Sequence, residues 1–167
     1  MIKILMLLNN IDQINEWVGR IFCFAILILM FTVSYEVIMR KFFGFPSTWS
    51  YDIAKQSYAF HFLMIAGYTL LHKQHVAVDV FSSLLSARKK AIIDIIGYLI
   101  FFFPLSFVMI WFGVDFAKTS WMEMEKARHV FPIPLYPIKT VIPLAFTLLF
   151  LQGLSHFIRR IYSLARR

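Results

Sequence analysis

Five histidines stand among long apolar runs, and two of them facing each other inside a four-helix membrane bundle would hold a haem iron. Their depths argue against that use. His61 lies eight residues, about 12 Å of helix, inside one end of its run, whereas His156 closes the opposite end of another. One haem cannot reach both. His72 and His75 match His156 in depth but belong to a polar hairpin. His61 therefore reads as a hydrogen-bonded packing residue that faces another helix. The carboxylates offer as little. Glu36 is the sole acid in the first two apolar runs, close to the end of its own, and Arg40 one turn on can pair with it. Lys90 with Asp94, and Asp115 with Lys118, repeat that arrangement at the two ends of the third run. Cys23, the single cysteine, can form neither an internal disulfide nor a metal site and reads as a small packing residue. No metal-ligand spacing, nucleophile elbow or phosphate loop occurs, so neither enzyme activity nor a cofactor is expected.

The elements that carry these residues need a bilayer. Of 167 residues 60% are hydrophobic and 18% aromatic, more apolar surface than a water-soluble domain of this size can cover. Segments of about 20 apolar residues cross a hydrocarbon core of ~30 Å, and four qualify, at about 21–39, 53–71, 91–116 and 138–157. The fold class expected is an all-α integral membrane protein, one domain over 1–167, with four transmembrane helices and short amphipathic helices at the interface. Those amphipathic segments are placed at about 1–18 and 79–87. In the first, Ile11, Ile14, Trp17 and Val18 alternate at helical spacing with Asp12, Gln13, Asn15 and Glu16. In the second, Asp79 caps a face of Phe81, Leu84 and Leu85.

The net charge of +8 does not indicate nucleic acid, because Lys and Arg cluster at the ends of apolar runs. With both termini on one side, that side holds ten of them and the other seven. The positive-inside rule then places both termini and the central hairpin in the cytoplasm. Ser47 or Thr48 can cap a helix beginning near Trp49. Trp49, Tyr51, Trp111 and Trp121 form an aromatic belt, and Pro104 should disturb the third span. Pro132, Pro134 and Pro137 impose an extended approach to the last span. The inner stretches of the first, third and fourth spans carry no ionisable residue, and no pair of Gly/Pro-interrupted half-helices marks a substrate path. The spans read as apolar all round, so no stripe separates a lipid face from a protein face. What is left is a helper subunit packed on a larger membrane protein. A four-helix membrane cytochrome subunit and a small autonomous exporter relying on Glu36 are the alternatives.

The succession Arg40, Gly44, Pro46, Trp49 and Asp52, followed by the hairpin His75-Val76-Ala77-Val78-Asp79, resembles the small (DctQ-type) membrane subunit of tripartite ATP-independent periplasmic (TRAP) transporters. The stretch 137–143 resembles that family too, and only Asp52 departs, where glutamate is common. The resemblance implies a non-catalytic subunit of the bacterial inner membrane. It implies two partners besides membrane lipid: a large multi-span subunit that carries the substrate and sodium sites, and a periplasmic binding protein. That protein delivers an organic acid such as a dicarboxylate, keto acid or sialic acid for sodium-driven uptake. Arg40, Lys41, Lys126 and Arg128 are then candidates for docking the binding protein. His75 and Asp79 are candidates for bracing the hairpin.

Overall fold

In an apolar solvent a backbone must satisfy its own hydrogen bonds, and long runs of Ile, Leu, Phe and Val do so as helix. The computed structural model describes residues 2–45, 47, 49–72, 87–127 and 132–165. Helix α1 (Ile2–Cys23) continues into α2 (Ala25–Phe42) after a break at Phe24 alone. A turn through Gly44, whose φ of 69° suits a residue without Cβ, leads to α3 (Ser50–Met64). A second break at Ile65 precedes α4 (Ala66–Leu71). Helix α5 (Ala87–Gly97) passes through a π-helical turn, Tyr98–Phe102, into α6 (Phe103–Met122), and α7 (Tyr136–Ala165) closes the chain. The π turn ends two residues before Pro104. A proline cannot donate to the carbonyl one turn back and its ring presses on it, so a widened turn relieves the clash. Between α6 and α7 an antiparallel bridge joins Lys126 to Pro134, with the Ala127 and Leu135 amides bonded to the Ile133 and Glu125 carbonyls at 2.9 Å.

Helix α7 is the axis of the bundle. It packs along α6, α3 and α4, and α1 runs antiparallel beside it, with Asn9, Asp12 and Asn15 meeting Arg159, Ser155 and Gln152, while α2 leans mainly on α3. Among the described residues three helices are long and apolar enough to cross a membrane, over Met6–Phe42, Ile92–Met122 and Tyr136–Tyr162. The rod made by α3 and α4 is interrupted and more polar.

The interior is inverted relative to a water-soluble protein. Among the described residues the buried apolar side chains are Leu8, Met64, Ala117, Pro143 and Ala145, against nine buried polar or charged side chains. Phe31, Phe42, Phe101, Trp111, Phe112 and many other large apolar side chains lie on the outside. Lipid is the solvent that such a surface fits, because helix association there runs on small residues and interhelical hydrogen bonds. The uniformly apolar spans expected from sequence are corrected by this arrangement. On α6 the buried residues are Ser106, Gly113, Ala117 and Ser120, a one-sided stripe of small side chains turned to α7. The N-terminal segment is inverted in the same way: Asp12, Asn15 and Glu16 face the protein, while Ile14 and Trp17 are 51% and 68% exposed.

Candidate functional site

Two polar clusters tie the helices together at opposite ends of the bundle. The first joins α1 to α7. Asn15 donates from Nδ2 to Gln152 Oε1 (2.9 Å) and to the Ile11 carbonyl (3.1 Å). Gln152 Nε2 donates in turn to Asp12 Oδ1 (2.9 Å), and Ser155 Oγ to the same oxygen (3.3 Å). Arg159 donates from Nη2 to Asp12 Oδ2 (2.5 Å) and to Asn9 Oδ1 (3.2 Å). Gln152 and Ser155 are 0% exposed and Asn15 2%, so each amide or hydroxyl would be costly without its partner. The close approach depends on Gly67 of α4, where a Cβ would stand 2.0 Å from Asn15 Oδ1. Neighbouring pairs complete this end: His72 Nε2 lies 2.7 Å from Glu16, which also pairs with Arg20, and Arg160 pairs with Asp94 at 2.9 Å. Asp94 thus reaches α7; the side chain of Lys90, its partner expected from sequence, lies outside the described residues. The two ends of the chain meet here.

The second cluster surrounds Glu36, on the last turns of α2. Its Oε2 accepts from the Ser47 amide (3.1 Å), the Ser47 hydroxyl and the Ser50 hydroxyl (2.5 Å), and its Oε1 from Arg40 (3.1 Å). One carboxylate thereby fastens the α2–α3 turn. The cap expected from Ser47 is corrected: both its donors go to Glu36, and the residue at the N-cap of α3, Trp49, makes no side-chain cap. Thr48 lies outside the described residues. Trp49 stacks instead on Tyr35, ring centroids 5.4 Å apart, and Asp52 is 5% exposed in the first turn of α3. At the same end, Lys139 of α7 pairs with Glu125 and lies 3.8 Å above the Phe116 ring. Glu125 accepts from Ser120 at 2.9 Å. Trp121 donates to Thr140 at 2.8 Å and packs on Tyr136.

Between the clusters, His61 is 9% exposed and its Nδ1 lies 3.0 Å from the Phe22 carbonyl. A carbonyl can only accept, so Nδ1 carries the proton. The break at Phe24 accounts for the contact, since the last turn of a helix leaves carbonyls without intrahelical donors. His61 is therefore a hydrogen-bonded packing residue against another helix, as its position predicts.

Of the residues singled out by sequence, Arg40, Trp49 and Asp52 gather at the α2–α3 junction. Lys41 and Lys126 are exposed at that end, as is the Arg40 side chain at 66%. Pro46, His75, Asp79 and Arg128 lie outside the described residues. Asp115 and Lys118 are both exposed. Sequence reasoning missed Gln152, Ser155 and the inward turn of Asp12 and Asn15. An uncharged amide seven residues inside the basic end of an apolar run was the available signal, because such a group in lipid needs a partner.

Comparison with curated proteins returned no match to this chain. Residues 14–162 match the family described as Tripartite ATP-independent periplasmic transporters, DctQ component, so a small helical protein with lipid-facing walls and self-satisfied polar clusters belongs to the DctQ family of TRAP transporter subunits.

Proposed function

We propose that this chain is the non-catalytic scaffold of a sodium-driven TRAP transporter, holding the large transport subunit while that subunit takes up an organic acid delivered by a periplasmic binding protein. A dicarboxylate, a keto acid and a sialic acid are the substrate classes in view. The observation that supports the role is the way the two clusters are closed. A substrate carboxylate or a sodium ion needs polar groups with capacity to spare, whereas Asp12, Asn15, Glu36 and Gln152 bond to one another or to adjoining residues.

Four crossings are supported by the spacing of ionisable groups. Glu16 and Glu36, Asp52 and His72, Asp94 and Asp115, and Lys139 and Arg159 stand 20, 20, 21 and 20 residues apart on successive rods. At the helical rise each interval is about 30 Å, the thickness of the hydrocarbon core. The α3–α4 rod keeps that interval although it is interrupted, so it joins the three longer apolar helices as a crossing. The surplus of Lys and Arg at the end holding both termini orients that end to the cytoplasm of a bacterial inner membrane. Segment 79–87 lies along the interface, where it anchors the fixed part of the complex, His75 with Asp79 braces the hairpin before it, and α1 widens the bundle by packing beside α7. If the large subunit moves its substrate by an elevator-like shift, a broad anchored neighbour supplies the fixed reference.

The test is reconstitution. Large subunit and binding protein in liposomes with an inward sodium gradient should take up substrate only when this chain is present, although substrate binding by the large subunit persists without it. Full uptake without the chain would overturn the role. A second reading concerns the outer rim, where the exposure of Arg40, Lys41 and Lys126 favours docking of an acidic face of the binding protein, with Arg128 as a fourth contributor.

A further inference from the structure

A hollow of about 250 Å³ opens between α3 and α7 near the Glu36 end of the bundle. Gln56, Ser57 and Phe60 line it from α3, and Pro137, Ile138 and Val141 from α7. Among the described residues Gln56 Nε2 is the one buried side-chain nitrogen or oxygen without a hydrogen-bond partner. That is anomalous in a chain whose other buried polar groups are matched, since a buried donor is kept where an acceptor meets it. No described residue of the chain supplies that acceptor. Gln56 stands one turn, about 6 Å, inside Asp52, which marks the outer ionisable level on this rod. In a bilayer that is the depth of the glycerol ester carbonyls, just beneath the phosphates, and an ester carbonyl is an acceptor with no donor of its own. Lys55, the preceding residue, is exposed, and its flexible stem lets the ammonium rise to the phosphate level. Phe60 and Val141 continue the hollow toward the membrane centre with apolar walls.

We infer that the hollow between α3 and α7 seats one anionic phospholipid of the outer leaflet. The Gln56 amide donates to an ester carbonyl, Lys55 pairs with the phosphate group, and an acyl chain lies against Phe60 and Val141. Rotation of the Gln56 amide about its last torsion presents the donor without backbone movement. The net negative charge of the head group selects the lipid, because phosphatidylethanolamine already neutralises its own phosphate. The inference rests on the crossings and orientation proposed above but not on the scaffold role, since lipid seating does not require that transport depend on this chain.

Native mass spectrometry of the complex as extracted in mild detergent, equilibrated with equal amounts of phosphatidylglycerol and phosphatidylethanolamine, tests it. One phosphatidylglycerol per chain should survive removal of the detergent. Gln56→Leu and Lys55→Ala should each lower its retention at least fivefold, and Val141→Trp, which fills the hollow and leaves both polar groups in place, should expel it. Lys118→Ala, on α6, should retain it. Equal retention by Gln56→Leu, Val141→Trp and the unmodified chain would overturn the assignment. So would a photoreactive group at Ser57 that cross-links to a protein subunit instead of lipid.

Discussion

The two polar clusters solve the same problem in different ways. At the end where the chain termini meet, Asp12, Asn15, Gln152 and Ser155 join residues about 140 positions apart in sequence, and three of the four are almost entirely shut off from solvent. At the other end, Glu36 bonds only to residues 4 to 14 positions away, and the Arg40 side chain beside it remains 66% exposed. The first is a long-range junction, and its work is to fix the register of α1 beside α7. The second shapes a local turn, beside which Lys41 and Lys126 stand exposed. Burial explains the contrast: polar groups shut between two helices must be closed off, whereas those on an open turn need not be.

The sharpest way to break the long-range junction is steric. Gly67→Leu places side-chain atoms where Asn15 Oδ1 stands, and overpacking of this kind costs about 3 kcal/mol. Loss of the monodisperse species in detergent should follow. Removing hydrogen bonds without adding bulk should do less. Asp12→Ala deprives Gln152, Ser155 and Arg159 of one shared acceptor, and interhelical polar contacts in membranes are worth about 0.6–1.7 kcal/mol each. Its thermal midpoint should fall by several degrees, and Gln152→Leu by less, because Asn15 keeps the Ile11 carbonyl.

The local turn should respond differently. In Glu36→Gln the fold should persist while amides at 43–49 exchange faster and those of α1 do not; equal protection of the turn would show that Glu36 does not hold it. The same variant should retain uptake, and an inactive but folded protein would favour a carboxylate-dependent exporter. The smallest effect belongs to the rim. Arg40→Glu with Lys41→Glu and Lys126→Glu should slow uptake a few-fold at low ionic strength and hardly at high salt, as expected when charge steers docking. Unchanged kinetics at both would assign those side chains to lipid phosphates.

How far sequence reached can be stated residue by residue. Three of the four apolar runs and the Glu36–Arg40 pair were legible because each depends on local spacing, and His61 because its depth left packing as the simplest use. The antiparallel packing of α1 beside α7 was not legible. Amphipathic spacing over residues 11–18 reports that two faces differ, but it does not say which faces water, and here the polar face turns inward. The stripe of Ser106, Gly113, Ala117 and Ser120 escaped a reading based on hydropathy, which ranks side chains by polarity and not by how closely they let helices approach. Pro104 was expected to disturb its helix; that the disturbance is a π turn placed before it follows from backbone geometry alone.

The most direct test of the central claim is purification of the tagged chain from its native membrane in mild detergent, with identification of what accompanies it by mass spectrometry. A stoichiometric large membrane subunit of many spans is the predicted result, with the association kept in Glu36→Gln and weakened in Gly67→Leu. A chain that emerges alone, or with haem or redox subunits, would contradict the scaffold account.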